Sequence, residues 1–109
     1  MSNEVKTVAD FDREVVEASK TRPVVVIVSA PWCGPCKIVK PILIALSEKH
    51  DFPLVNIDGS QQRELAQHLK VRSVPTMFIY RDGEEVKRWA GTTSEAELTT
   101  VLARAGVIR

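Results

Sequence analysis

The chain has 109 residues, the size of one ordinary domain, and we expect a single domain over residues 1–109. Its 15 basic and 14 acidic residues nearly cancel, so there is no charge footprint for nucleic acid or for an anionic membrane. With 44% hydrophobic and 27% charged residues, the composition is typical of a soluble globular protein, and protein or thiol partners are expected.

The N-terminal residues 1–6 are polar, and no apolar stretch follows them. This pattern predicts neither a signal peptide nor a membrane span, which leaves the cytoplasm as the expected compartment. Thiols are kept reduced there, so a closely spaced cysteine pair is more often catalytic or metal-binding than a structural cross-link.

The first half of the chain alternates between helical and extended patterns. Apolar residues at helical spacing, with acidic residues early in the segment, predict a helix over 8–20. The β-branched run 24–28 predicts a central strand buried on both faces. A second apolar stripe predicts a helix over 34–49, which Pro41 should kink. A short strand over 5–7 is expected at the start of the chain.

The second half predicts three strands and two helices. The strands are expected at 53–57, 76–80 and 85–89, with an Asp-Gly hairpin turn between the last two. A short helix is expected near 65–69, and the S-x-x-E capping box at 94–97 begins the last one. The order predicts an α/β fold in which the first strands are parallel and the closing hairpin adds an antiparallel edge.

The chain's only two cysteines lie in the segment Trp32–Lys37 (WCGPCK), between the central strand and the second helix. Two thiols separated by two residues can form a small disulfide ring and reopen it. If the helix begins near Gly34, Cys33 lies at its N-terminal edge, where free amides and the helix dipole favour a thiolate. We therefore assign Cys33 as the attacking nucleophile and Cys36, which should be less exposed, as the resolving thiol.

The two residues between the cysteines are predicted to tune how readily the ring opens. Gly34 would permit a tight backbone path through the motif. Pro35 suits the first helical turn, where its missing N–H costs no hydrogen bond.

The WCGPCK motif together with the segment 74–76 (VPT) resembles the thioredoxin family. Other matching positions follow in the same order along nearly the whole chain: Pro41, Asn56, Ile57, Asp58, Gly83 and Gly91. The resemblance implies a thioredoxin fold, a central mixed β-sheet of four to five strands flanked by four helices. It also implies a protein disulfide reductase that binds no cofactor beyond its own redox-active disulfide and is recharged by a thioredoxin reductase drawing on NADPH.

The resemblance further implies a substrate-binding surface. A cis proline is expected at Pro75, opposite the cysteines, with the backbone of Val74 turned outward to pair with an extended substrate. Trp32, Ala90 and Gly91 are expected to line a shallow apolar groove beside them. The substrates would be disulfide-containing proteins, and the protein itself is expected to be a monomer.

The chain departs from the family pattern at Ile27, where relatives usually carry a buried aspartate thought to help deprotonate the resolving cysteine. Leu54 stands in place of the lysine that accompanies that aspartate, and Ser29 in place of a nearby aromatic residue. Resolution by Cys36 should therefore be slower, or should use water or another base. Asp58 is one candidate base, although an aspartate at a strand end more often caps the next turn.

The same residues also bear on other possible functions. Zinc takes four ligands, and the remaining candidates, His50 and His68, lack ligand spacing to the cysteines, so a metal site would more readily be an iron–sulfur cluster bridging two chains. A redox-independent structural subunit of a larger assembly fits the missing aspartate but not the retained Gly-Pro and Pro75. A glutaredoxin usually has tyrosine in place of Gly34, and a disulfide-forming oxidase usually has a histidine in the loop and an export signal.

Overall fold

A five-stranded mixed sheet forms the centre of the protein, as seen in a computed structural model that describes residues 2–109. The strands are β1 (Ser2–Glu4), β2 (Val24–Ser29), β3 (Leu54–Asp58), β4 (Thr76–Arg81) and β5 (Glu84–Ala90). Their order across the sheet is β1-β3-β2-β4-β5, with β1, β3 and β2 parallel and β4 antiparallel to both of its neighbours. The predicted parallel start and antiparallel edge are confirmed.

Helices cover both faces of this sheet. They are α1 (Val8–Phe11), α2 (Gly34–His50), α3 (Arg63–His68) and α4 (Glu95–Arg104). The backbone after α1 continues as a π-helix (Asp12–Glu17) and a 3-10 turn (Ala18–Lys20), so 8–20 is helical as predicted but is not one regular α-helix. Helix α2 runs on through Pro41 to His50. Within residues 2–109, no helix is both long and apolar enough to cross a bilayer.

The first strand does not lie where the sequence pattern placed it. The strand predicted over 5–7 is wrong, because β1 is Ser2–Glu4 and pairs with the first three residues of β3. Val5 follows the strand and is buried, while Thr7 accepts the N–H of Asp10 as the N-cap of α1. The need to cap α1 therefore takes Thr7 out of the extended segment.

Strand β2 carries the core, because its consecutive side chains point to opposite faces of the sheet. Val25 and Ile27 pack beneath α2 and α4, whereas the alternate valines of β2 pack beneath α3 and the first helical segment. All residues from Val24 to Val28 are fully buried. The prediction of a central strand covered on both faces is confirmed.

The hairpin of β4 and β5 brings a second loop to the carboxyl end of β2. Asp82 and Gly83 both have positive φ, 55° and 83°, as the predicted two-residue Asp-Gly turn requires. Strand β5 ends at Ala90, and the next residue, Gly91, has a φ of 89° and donates its N–H to Pro75 O at 3.0 Å. The hairpin thereby places Gly91 beside the proline that precedes β4.

Burial of Ile27 predicts how an aspartate there would behave. In Ile27→Asp, desolvation should raise the carboxyl pKa above that of the unfolded chain. Stability is then retained at low pH and lost as pH rises from about 4 through the raised folded pKa. Urea unfolding should show a deficit of several kcal/mol at about pH 9 that shrinks at about pH 5. An Ile27→Val control should lose about 1 kcal/mol at both pH values, and a pH-independent deficit in Ile27→Asp would contradict the expectation.

Candidate dithiol active site

The two cysteines lie at the junction of β2 and α2. Helix α2 begins at Gly34 with Cys33 as its N-cap, as the sequence predicted. A disulfide joins Cys33 and Cys36, whose Cα atoms are 5.3 Å apart. The N–H of Cys36 donates to Cys33 Sγ at 3.2 Å, so the sulfur of Cys33 takes the place that a capping oxygen usually has.

Burial does not distinguish the two cysteines. Each is 3% exposed, so the expectation that Cys36 would be the less exposed of the two is wrong for the disulfide form. The reason is that the bonded sulfurs form one compact ring, which packs against Ala30 and Val74. What separates the two cysteines is position, since only the Cys33 sulfur accepts an amide at the helix start.

The residues inside the ring have different structural roles. Pro35 occupies the first turn of α2, where its missing N–H removes no helical hydrogen bond. Gly34, by contrast, is not among the residues with positive φ, and a Cβ added to it would meet no atom within 4 Å. The tight backbone path proposed as the reason for this glycine is therefore wrong.

The predicted cis bond is present between Val74 and Pro75. Val74 is half-buried and packs against the cysteine ring. Pro75 is buried, and its carbonyl accepts the N–H of Gly91. Cys33, Val74, Pro75 and Gly91 thus form one continuous neighbourhood.

A groove of about 320 Å³ opens beside the ring and is lined by Trp32 and Val74. Trp32 is 74% exposed, as expected of a surface platform rather than a core residue. Arg63 and Arg72 also line this groove, and sequence reasoning missed them because exposed arginines in such segments carry no distinguishing pattern. Ala90 and Gly91 are not among the residues that line it; Gly91 lies instead against Pro75.

A second opening lies on the other side of Cys36. This cleft has a volume of about 670 Å³ and is lined by Cys36 but not by Cys33. Its sheet side includes Ser29 and Asn56, each 6% exposed, with Ser29 Oγ donating to Asn56 Oδ1 at 3.2 Å. The sequence held a signal for this pair, since each is a polar residue within an otherwise apolar strand.

Asp58 also lines the cleft, but its carboxylate serves the turn after β3. Desolvation favours its neutral form but is outweighed by hydrogen bonds from Ser60 Oγ (2.6 Å), Ser60 N (2.9 Å) and Gln61 N (3.2 Å). These bonds, aided by the charge of Lys40, hold the pKa of Asp58 below its ordinary value. A carboxylate with a lowered pKa is a weak base, so the geometry favours the capping role over proton transfer from Cys36.

No group of three or more histidine, cysteine, aspartate or glutamate side chains that could hold a metal ion lies within residues 2–109. The cysteine pair is instead closed on itself, with its own sulfur atoms as the reactive centre. The arrangement is therefore suited to exchange of a disulfide bond.

Residues 2–104 match the family model for thioredoxin. The chain belongs to the thioredoxin family. It is 36% identical over 96 residues to chicken (Gallus gallus) thioredoxin, covering 87% of this chain and 90% of that protein. A "Bifunctional thioredoxin reductase/thioredoxin" of Mycobacterium leprae is 37% identical over 94 residues, which cover 84% of this chain but 20% of that protein.

The fold also matches those of solved thioredoxins. The structure of Fasciola hepatica thioredoxin superposes with a TM-score of 0.85 at 31% identity, covering 94% of this chain and 97% of that one. The expected thioredoxin fold is thereby confirmed. As a member of this family with an intact cysteine pair, the protein is a dithiol–disulfide oxidoreductase.

The open surroundings of Gly34 generate a prediction. Gly34→Ala should fold with unchanged stability or gain up to about 1 kcal/mol, because alanine is the better helix former and its Cβ meets nothing. Gly91→Ala is the matched control, since its Cβ also meets nothing but its φ of 89° is strained for alanine. That control should lose about 1–2 kcal/mol in urea unfolding. Equal losses in the two variants would show that Gly34 is required by the backbone after all.

Proposed function

We propose that this protein reduces disulfides in other proteins, with Cys33 forming the mixed disulfide and Cys36 resolving it. The observation that carries this assignment is the Cys36 N–H donating to Cys33 Sγ at the start of a 17-residue helix. In the reduced protein, the same amide and the positive end of the helix dipole favour the Cys33 thiolate. The thiolate is the nucleophilic form, so Cys33 is the sulfur prepared to attack.

The reaction proceeds in two exchanges. The Cys33 thiolate attacks one sulfur of the substrate disulfide, whose S–S bond breaks and whose other sulfur leaves as a thiolate. Cys36, once deprotonated, then attacks the Cys33 sulfur and releases the second substrate thiolate. Two electrons pass to the substrate, and the Cys33–Cys36 disulfide remains.

A thioredoxin reductase drawing on NADPH would return the pair to its dithiol form. The bifunctional relative from Mycobacterium leprae supports this partner, because its name joins a thioredoxin reductase to a thioredoxin. On this proposal the protein is a cytoplasmic monomer, comprises a single domain over 1–109 and needs no bound cofactor of its own. Gly34 and Pro35 would tune the potential of the pair.

The substrate would lie across the neighbourhood of Val74 and Pro75. Val74 is only half-buried beside the ring, so its backbone can pair with an extended segment of the substrate. Trp32 supplies an exposed apolar surface on one side, and Ala90 and Gly91 flank Pro75 on the other. These contacts would bring the substrate disulfide to Cys33.

A coupled assay tests the proposal. NADPH consumption should be followed with a thioredoxin reductase and insulin as the disulfide substrate. Cys33→Ser should abolish turnover, because no nucleophile remains at the helix start. Cys36→Ser should retain attack but accumulate the mixed disulfide, because nothing resolves it. A wild-type protein no faster than Cys33→Ser would instead favour the redox-independent structural subunit.

The groove beside Trp32 predicts a charge preference among substrates. Arg63 and Arg72 line it and no carboxylate does, so disulfide peptides with acidic flanking residues should react faster than basic ones. Arg63→Glu with Arg72→Glu should lower kcat/KM for the acidic peptide about fivefold, in line with the modest strength of exposed ion pairs. Lys49→Glu, near the far end of α2, reverses one charge away from the groove, half of the change in the double variant, and should have no such effect. No difference between acidic and basic peptides would contradict the preference.

A further inference from the structure

The second exchange of the proposed function requires Cys36 to lose a proton. The inference below rests on that proposed function and concerns the groups that would assist this deprotonation. Cys36 is 3% exposed, but it lines the cleft between α2 and the sheet. Solvent in that cleft is therefore the route by which its proton can leave. The polar side chains lining the cleft decide how well a thiolate is tolerated there.

Two of these side chains are built into the sheet. Ser29 and Asn56 lie on the face that Ile27 and Leu54 share with α2, with Asp58 beyond them at the end of β3. Asn56 is more than nine-tenths buried, and its amide oxygen accepts the Ser29 hydroxyl. That bond fixes the orientation of the amide. Among residues 2–109, no protein group accepts from the side-chain amide N–H of Asn56, and its nitrogen is not a fully buried atom, so it is open to the cleft that Asn56 lines.

Four charged side chains also face the cleft. Lys37, Lys40 and Glu48 come from α2, and Asp58 comes from β3. Asp58 is engaged with the turn that follows it, and its low pKa makes it a weak base. Lys37 and Glu48 are exposed, as is the neighbouring Pro41, so solvent screens the charges of the lysine and the glutamate. Lys40 is half-buried and its charge favours the anionic form of Asp58, whereas Asn56 offers a buried, uncharged side chain fixed by a hydrogen bond.

We propose that Asn56, oriented by Ser29, is a positioning residue for the deprotonation of Cys36. Its amide N–H holds a water in the cleft, and this water donates a hydrogen bond to the Cys36 sulfur as the thiolate forms. The S–H bond breaks, the proton passes through cleft water to bulk solvent, and the sulfur keeps the electron pair. That pair then forms the S–S bond to Cys33, and the substrate sulfur departs with the electrons of the bond that breaks.

The titration of Cys36 in the reduced protein tests this role directly. Its pKa can be read from the NMR shift of the Cys36 Cβ across pH, with no substrate present. Asn56→Ala should raise that pKa by about one unit, and Ser29→Ala should raise it by less, because the amide is kept but loses its fixed orientation. Ser29→Thr keeps the hydroxyl and should restore the wild-type value.

Ser47→Ala is the matched control. Its hydroxyl is also buried and hydrogen-bonded, to Phe52 O at 2.7 Å, but it does not line the cleft. Its loss should leave the Cys36 titration unchanged. Should Asn56→Ala fail to fold, the comparison of Ser29→Ala with Ser29→Thr and Ser47→Ala decides the matter by itself.

The rate of the second exchange should fall as the pKa of Cys36 rises. One unit of pKa reduces the thiolate fraction about tenfold near neutral pH, but the more basic thiolate is about threefold more nucleophilic, so resolution should slow about threefold. The first exchange, measured by alkylation of Cys33, should not change. An unaltered Cys36 titration in both Ser29→Ala and Asn56→Ala would overturn the role of this pair. Failure of the proposed function would instead appear as absent turnover in the wild-type protein, whatever the titration gives.

Discussion

The rest of the site depends on the start of helix α2, where the Cys33 sulfur accepts the N–H of Cys36. This contact exists because β2, buried on both faces, ends at a fixed point and α2 begins five residues after it. A sulfur held at a helix N-terminus receives both a donor and the favourable end of the dipole. The donor at the Cys33 sulfur is therefore a backbone amide rather than a charged side chain.

The two sulfurs share one bond but have different surroundings. Cys33 belongs to the cluster that Val74 packs against, next to the groove lined by Trp32 and Val74. Cys36 lines a polar cleft on the opposite side, where solvent can enter. On the proposed mechanism, attack and resolution place different demands on a thiol, and the two sulfurs would meet them on different faces of the protein.

The apolar residue at position 27 changes what lies beneath the ring. A buried carboxylate costs stability unless it is paired, and Ile27 removes that cost by joining the core beneath α2 and α4. Polar side chains are present two residues further along β2, where Ser29 is hydrogen-bonded to Asn56 at the edge of the core. The small side chain of Ser29, where the family usually has an aromatic residue, is consistent with the open cleft it lines.

Features that depend on local sterics and short-range hydrogen bonds could be predicted from the sequence. They are the β-branched strand, the Asp-Gly turn, the capping box at Ser94 and the start of α2 at Gly34. The three-residue strand β1 was misplaced because so short a segment has no periodicity and is located only by its pairing with β3. The packing of distant segments, by contrast, is what joins Asn56 to Ser29 in the cleft that Cys36 also lines, and what brings Arg63 and Arg72 to the groove of Trp32. Such contacts depend on strand pairing and helix packing between segments that are distant in the sequence. No local sequence pattern specifies that pairing and packing.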